Sequence, residues 1–148
     1  MTQEEKQLLL QDLSARLPYG VKVTTTNPAA EFGVMSGISI KGKISVETKY
    51  ADIVFECTEV KPYLRPMSSM TEEEKEEMHN LLSPEGTAIY GCYGISVPMN
   101  HYGEFVSYKF MNNIIHYLLE HHFDFMGLIP KGLALEANKE NNPYKNDI

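Results

Sequence analysis

The sequence predicts an α+β fold: a small antiparallel sheet, curled into a partly open barrel of the SH3-like kind, packed with three helices in a single domain over residues 1–137. Three observations carry this. A capping box opens a leucine-striped helix at the N-terminus, runs of period-two alternation occupy residues 21 to 60, and two further helical patterns follow. The polar segment 138–148, NKENNPYKNDI, is expected to fray as a disordered tail.

Thr2 and Glu5 stand at capping-box spacing, and Leu9, Leu13 and Leu17, with Leu10 beside them, recur every turn. Pro18-Tyr19-Gly20 stops this helix. Val21, Val23 and Thr25 then alternate with polar residues, and Asn27-Pro28 marks a turn. Ile38 and Ile40 before Lys41-Gly42-Lys43, with Ile44 and Val46 after it, read as a hairpin. Pairing Ile40 with Ile44 and Ile38 with Val46 puts all four on one buried face and requires an odd-numbered loop. From Tyr50 to Thr58, Ala51, Ile53, Phe55 and Cys57 share one side, so Cys57 reads as a small buried hydrophobe. Pro62 and Pro66 frame a stretch where neither helix nor central strand continues easily. Thr71 and Glu74 form a second capping box for a helix to about Leu82, with its glutamate-rich face in water. Met111, Ile114, Ile115, Leu118 and Leu119 trace the stripe of a third helix ending near His121. The irregular run HHFDFMGLIPKGLALEA is too apolar to leave the body of the protein.

Thirteen Lys and Arg against twenty Asp and Glu give a net charge of −7, which disfavours nucleic acid and anionic membranes as partners. No run approaches the ~18–20 apolar residues of a membrane span, and MTQEEKQLLLQDL lacks the regions of a signal peptide, so a cytoplasmic setting is expected. Cys57 and Cys92 have neither disulfide-framework nor zinc-type spacing. No phosphate-loop or dinucleotide glycine pattern is present, and no cofactor is implied.

Two stretches offer contact chemistry. In the Pro-framed hinge, Tyr63 and Arg65 sit on a backbone that proline restricts, which readies a guanidinium for a carboxylate or phosphate; the alternative is that Arg65 pairs with a local glutamate and Tyr63 packs on the sheet. In TAIYGCYGISVPMNHYGEF, Tyr90, Tyr93 and Tyr102 alternate with glycines, beside His101. Tyrosine supplies contact area at low entropic cost, while the alternative is a pair of short strands with tyrosines at the rim of the core. Metal or nucleophilic chemistry has weaker support. His121, His122 and Asp124, with Glu120 or His101, lack the HExxH spacing, and adjacent helical histidines point about a hundred degrees apart. Cys92 and His101 share a glycine-rich loop without a protease signature.

Three blocks, LLLQDLSARLPYGVKV, VKPYLRPMSSMTEEEK and HHFDFMGLIPKGLALEA, together resemble a family of small proteins of gut Bacteroides and related bacteria, often carried on their phages and prophages. Ser14 stands where that family frequently has cysteine, and Tyr117 where tryptophan often precedes the His-His pair. The resemblance implies a biological setting, without an activity or a catalytic residue. The leading expectation is therefore a non-catalytic binding module that engages a protein partner or a second copy of itself. The alternatives are capture of a small nucleotide signal through Tyr63, Arg65, Tyr90 and Tyr93, inhibition of a host protein, and a hydrolase using Cys92, His101, His121 and His122.

Overall fold

The computed structural model describes residues 1–82, 88–92, 95–99 and 108–145. Among them are the helices α1 (Gln3–Arg16), α2 (Glu72–Leu82) and α3 (Tyr108–Glu120). The strands are β1 (Lys22–Thr25), β2 (Phe32–Ile38), β3 (Lys43–Glu47), β4 (Asp52–Glu56), β5 (Val60–Leu64), β6 (Ala88–Cys92), β7 (Ile95–Met99) and β8 (Leu135–Glu136). The fold is α+β. Two compact units divide the chain: Met1–Arg65 with Met126–Ile148, and Pro66–Phe125. The second is inserted between β5 and β8 of the first without a linker, which is why the sequence reads as one domain.

In the first unit a six-stranded sheet runs in the order β4-β3-β2-β1-β5-β8. The sheet is mixed. The first five strands are antiparallel, but β8 adds to β5 in parallel through Tyr63↔Leu135 and Leu64↔Glu136. Two residues are too few to show a period, so β8 was invisible in the sequence. Only a 3₁₀ turn at Cys57–Glu59 separates β4 from β5, although β3, β2 and β1 lie between them in the ladder. So short a connection requires the sheet to curl. β2 makes the curl possible: its first residues pair with β1 and its later ones with β3, and a bulge between Met35 and Gly37 bends it.

The hairpin between β2 and β3 also departs from the expected register. Ile38 pairs with Ile44 and Met35 with Val46, while Ile40 is fully exposed at the tip. The loop is odd-numbered, but it closes one residue earlier than a symmetric reading places it. The Gly42 amide donates to the Ser39 carbonyl at 2.9 Å, and Gly42 takes a φ of 76°, the left-handed residue of a three-residue hairpin loop.

α1 begins at the predicted capping box, with the Glu5 amide donating to Thr2 Oγ1 at 3.1 Å and the Thr2 amide to Glu5 Oε2 at 2.7 Å. Leu9 and Leu13 enter the core with Val23, Ile44, Val46, Phe55 and Leu64, joined by Leu128 and Leu133 from the apolar C-terminal run. Leu17, expected on the stripe, caps the helix and is 37% exposed. Asp12 and Arg16 are buried in its place. Gly33 sits at a close approach between strands: a Cβ there would collide with Val46 Cγ1 and lie 2.7 Å from the Glu47 carbonyl oxygen. Gly33→Ala is expected to cost about 1–3 kcal/mol, read as a lower midpoint in urea unfolding.

The segment after Ala137, expected to fray, is folded through residue 145. The Lys22 amide donates to Tyr144 Oη at 3.0 Å, and that hydroxyl donates to the Tyr63 carbonyl at 2.9 Å. One phenol thus splices β1 to β5 beyond their last paired residues. Polar composition hid an aromatic anchor.

In the second unit, α2 also starts at its predicted box, with the Glu74 amide donating to Thr71 Oγ1 at 3.2 Å. α2 and α3 share a small core of Met70, Ile114, Tyr117, Leu118 and Phe123. Ile115, expected on the buried stripe, is 41% exposed, because Ile114, Tyr117 and Leu118 are the residues three and four apart that face inward. β6 and β7 form an antiparallel ladder from Ala88↔Met99 to Cys92↔Ile95.

A candidate contact surface on the outer face of the sheet

Cross-strand partners share a face of the sheet. Lys22 lies opposite Val34, Thr24 opposite Phe32, Val34 opposite Glu47, and Ser45 opposite Val54. These residues form the face turned away from the core, since Val23, Met35, Val46 and Phe55, their chain neighbours, are buried. On a sheet with one wet face, most outward positions are polar. Here Phe32 is 55% exposed and Val54 60%, and Tyr50, in the turn between β3 and β4, is 78% exposed.

Phe32 is not loosely held. Its ring stacks on that of Tyr63, with centroids 6.0 Å apart and planes inclined by 21°. Tyr63 is buried, so it forms the floor on which the exposed ring rests. Burial raises the Tyr63 phenol above the ordinary tyrosine value, and the negative charge of Glu31 raises it further, while a hydrogen bond with Thr24 pulls the other way. A pKa raised in the folded state gives stability that is fully present below the ordinary value near 10.0 and is lost as pH rises through the higher one. Alkaline unfolding followed by circular dichroism should therefore be shallower in Tyr63→Phe than in the wild type.

Beside Phe32 lies a groove of about 350 Å³ lined by Lys22, Phe32, Gly33, Val34, Glu47, Lys49 and Pro143. Lys22 Nζ donates to the Pro143 carbonyl at 2.9 Å and sits 5.7 Å from the centre of the Tyr144 ring. Lys49 Nζ lies 5.6 Å from the centre of the Tyr50 ring. Both ammonium groups thus rest against aromatic faces, which attract cations. Farther along the same face, Lys43 and Glu56 pair at 2.8 Å, and each holds the other in its charged form, the lysine raised and the glutamate lowered.

The residues nominated from sequence are distributed differently. Tyr63 belongs to this surface as support and not as a contact, because its ring is covered. Arg65 is half-buried at the last position before the second unit begins. Tyr90 lies on β6 of the second unit, while Tyr93, His101 and Tyr102 fall outside the described residues. Cys57 is buried and inaccessible as a nucleophile. His121 stacks on Tyr117 with ring centroids 4.2 Å apart and has Nδ1 4.0 Å from Glu74 Oε1, while the Tyr117 hydroxyl donates to Glu77 at 2.9 Å. His122 ends α3 with a φ of 61°. Among the described residues no group of three His, Cys, Asp or Glu side chains could hold a metal ion.

Sequence reasoning missed Phe32, Lys22 and Tyr144. In Phe32-Gly33-Val34-Met35, large apolar residues fall on both faces, so alternation does not say which side is buried. Glycine at position 33, flanked by two outward apolar residues, was the available signal. No helix among the described residues is long and apolar enough to cross a membrane. No family model, curated protein or solved structure matches the chain.

Proposed function

We propose that the chain is a non-catalytic binding module, acting in the cytoplasm of a bacterium or of a phage-infected cell and engaging a protein partner or a second copy of itself. The supporting observation is the outer face of the sheet, where an exposed phenylalanine is seated on a buried tyrosine and Tyr50 and Val54 extend the apolar area. Side chains that serve contact and not folding can be made polar at little cost in stability.

Phe32→Ser, Tyr50→Ser and Val54→Thr together test this. The triple variant is expected to melt within a few degrees of the wild type, because each position is more than half exposed. Light scattering over a concentration series would then separate the occupants: a second copy raises the wild-type mass above 16.8 kDa and leaves the variant at that value. A triple variant that unfolds many degrees lower would assign these residues to the fold and remove the proposal's basis.

A further inference from the structure

We infer that the groove beside Phe32 is a site for a small planar anion, a nucleoside monophosphate whose base stacks on Phe32 while its phosphate meets Lys22 and Lys49. The inference rests on reading the outer face as a contact surface and assigns a ligand class to one end of it. A volume of about 350 Å³ lies at the small end of ligand sites and suits a mononucleotide better than a protein loop.

Three features select this class. The first is the ring pair. Phe32 and Tyr63 are stacked in advance, so a third ring laid on Phe32 extends an existing stack without ordering a side chain. The second is charge. The chain carries −7 overall, yet two lysines line the groove against one glutamate, with Asp52 opposite that glutamate on the next strand, so positive charge is concentrated at Lys22 and Lys49. Hydrogen bonding to Pro143 and contact with aromatic rings position these ammonium groups, which bind phosphate as point charges. The third is Glu47. A carboxylate only accepts hydrogen bonds, so it opposes a bare polyanion and favours a base that presents N–H donors, as guanine does on its Watson–Crick edge. Ring, phosphate and donor edge together describe a guanosine monophosphate better than inorganic phosphate or a free nucleoside.

Calorimetric titration of the full chain with guanosine monophosphate, guanosine and inorganic phosphate tests this, with Phe32→Leu, Lys49→Glu and Glu47→Gln as variants. The monophosphate should bind, and guanosine and phosphate alone should each bind about tenfold or more weakly, since each lacks one recognised part. Lys49→Glu lies on an exposed residue and leaves folding intact, so it should weaken the monophosphate by about tenfold or more, and the weakening should shrink in high salt. Phe32→Leu should weaken guanosine as well as the nucleotide, and Glu47→Gln should narrow the preference for guanosine over adenosine monophosphate. Absence of nucleotide binding at millimolar concentration, or binding unchanged in both Phe32→Leu and Lys49→Glu, overturns the assignment. Either result leaves the proposed protein-contact role of the face to be judged by its own test.

Discussion

Asp12→Ala is expected to cost about 3–5 kcal/mol of stability. The Asp12 and Arg16 side chains are both 0% exposed, one helical turn apart on α1. Arg16 Nε donates to Asp12 Oδ2 at 2.6 Å and its Nη2 to Oδ1 at 2.9 Å, a two-pronged bond in which each charge satisfies the other. Removing the carboxylate leaves a guanidinium inside the protein with its main counter-charge gone. Desolvation then opposes folding in full. Urea unfolding followed by circular dichroism should show a much lower midpoint. The double replacement Asp12→Leu with Arg16→Met should recover most of the loss, because an apolar pair of similar size has no desolvation cost. A single variant that unfolds like the wild type would mean that the pair is open to water.

Phe123→Ala is expected to cost about 3–5 kcal/mol, the usual result of emptying a fully buried aromatic site. Phe123 is 0% exposed and packs with Leu118 in the core of the second unit. The same two residues close the end of α3. The Phe123 amide donates to the Leu118 carbonyl at 2.9 Å and the His122 amide to the Leu119 carbonyl at 3.1 Å, the paired bonds of a left-handed helix cap, with the apolar contact that accompanies it. His122 takes the left-handed position, with a φ of 61°, where glycine is the common residue. His122→Val, branched at Cβ, should therefore cost about 1–2 kcal/mol more than His122→Gly. Thermal unfolding of the three variants checks cap and core separately.

Local signals in the sequence were read well wherever the cause is local. Both capping boxes form as spaced, because Thr2 with Glu5 and Thr71 with Glu74 need only their own helical turn. The outward turn of Val54 and the burial of Phe55 and Cys57 follow from alternation along one strand. What escaped depends on residues far apart. The stripe of α1 is Leu9, Asp12, Leu13 and Arg16, at the intervals of a buried helix face, but counting apolar residues alone skips the two charges that cancel there. Ile40 falls at the exposed tip and not in the core because the loop closes on Ser39 and Lys43, which the spacing of the isoleucines alone does not reveal. Tyr144 reaches back over 81 residues to Tyr63, and nothing in NKENNPYKNDI signals that anchor.

The candidate surface was legible in part. The hinge tyrosine lies beneath Phe32, and that relation exists only once β1 brings Thr24 between Phe32 and Lys61. Stacking across strands cannot be read before the register is known.

Site-specific photocrosslinking in cells expressing the chain distinguishes this face from the rest of the surface, with the reactive residue placed at position 54 on the sheet or at position 76 on the exposed face of α2. A discrete adduct is expected from position 54, either a second copy or one other protein, none from position 76, and loss of the first when Phe32→Ser is added. Equal labelling at the two positions, or labelling at 54 that survives Phe32→Ser, would contradict the assignment of this face as the contact surface.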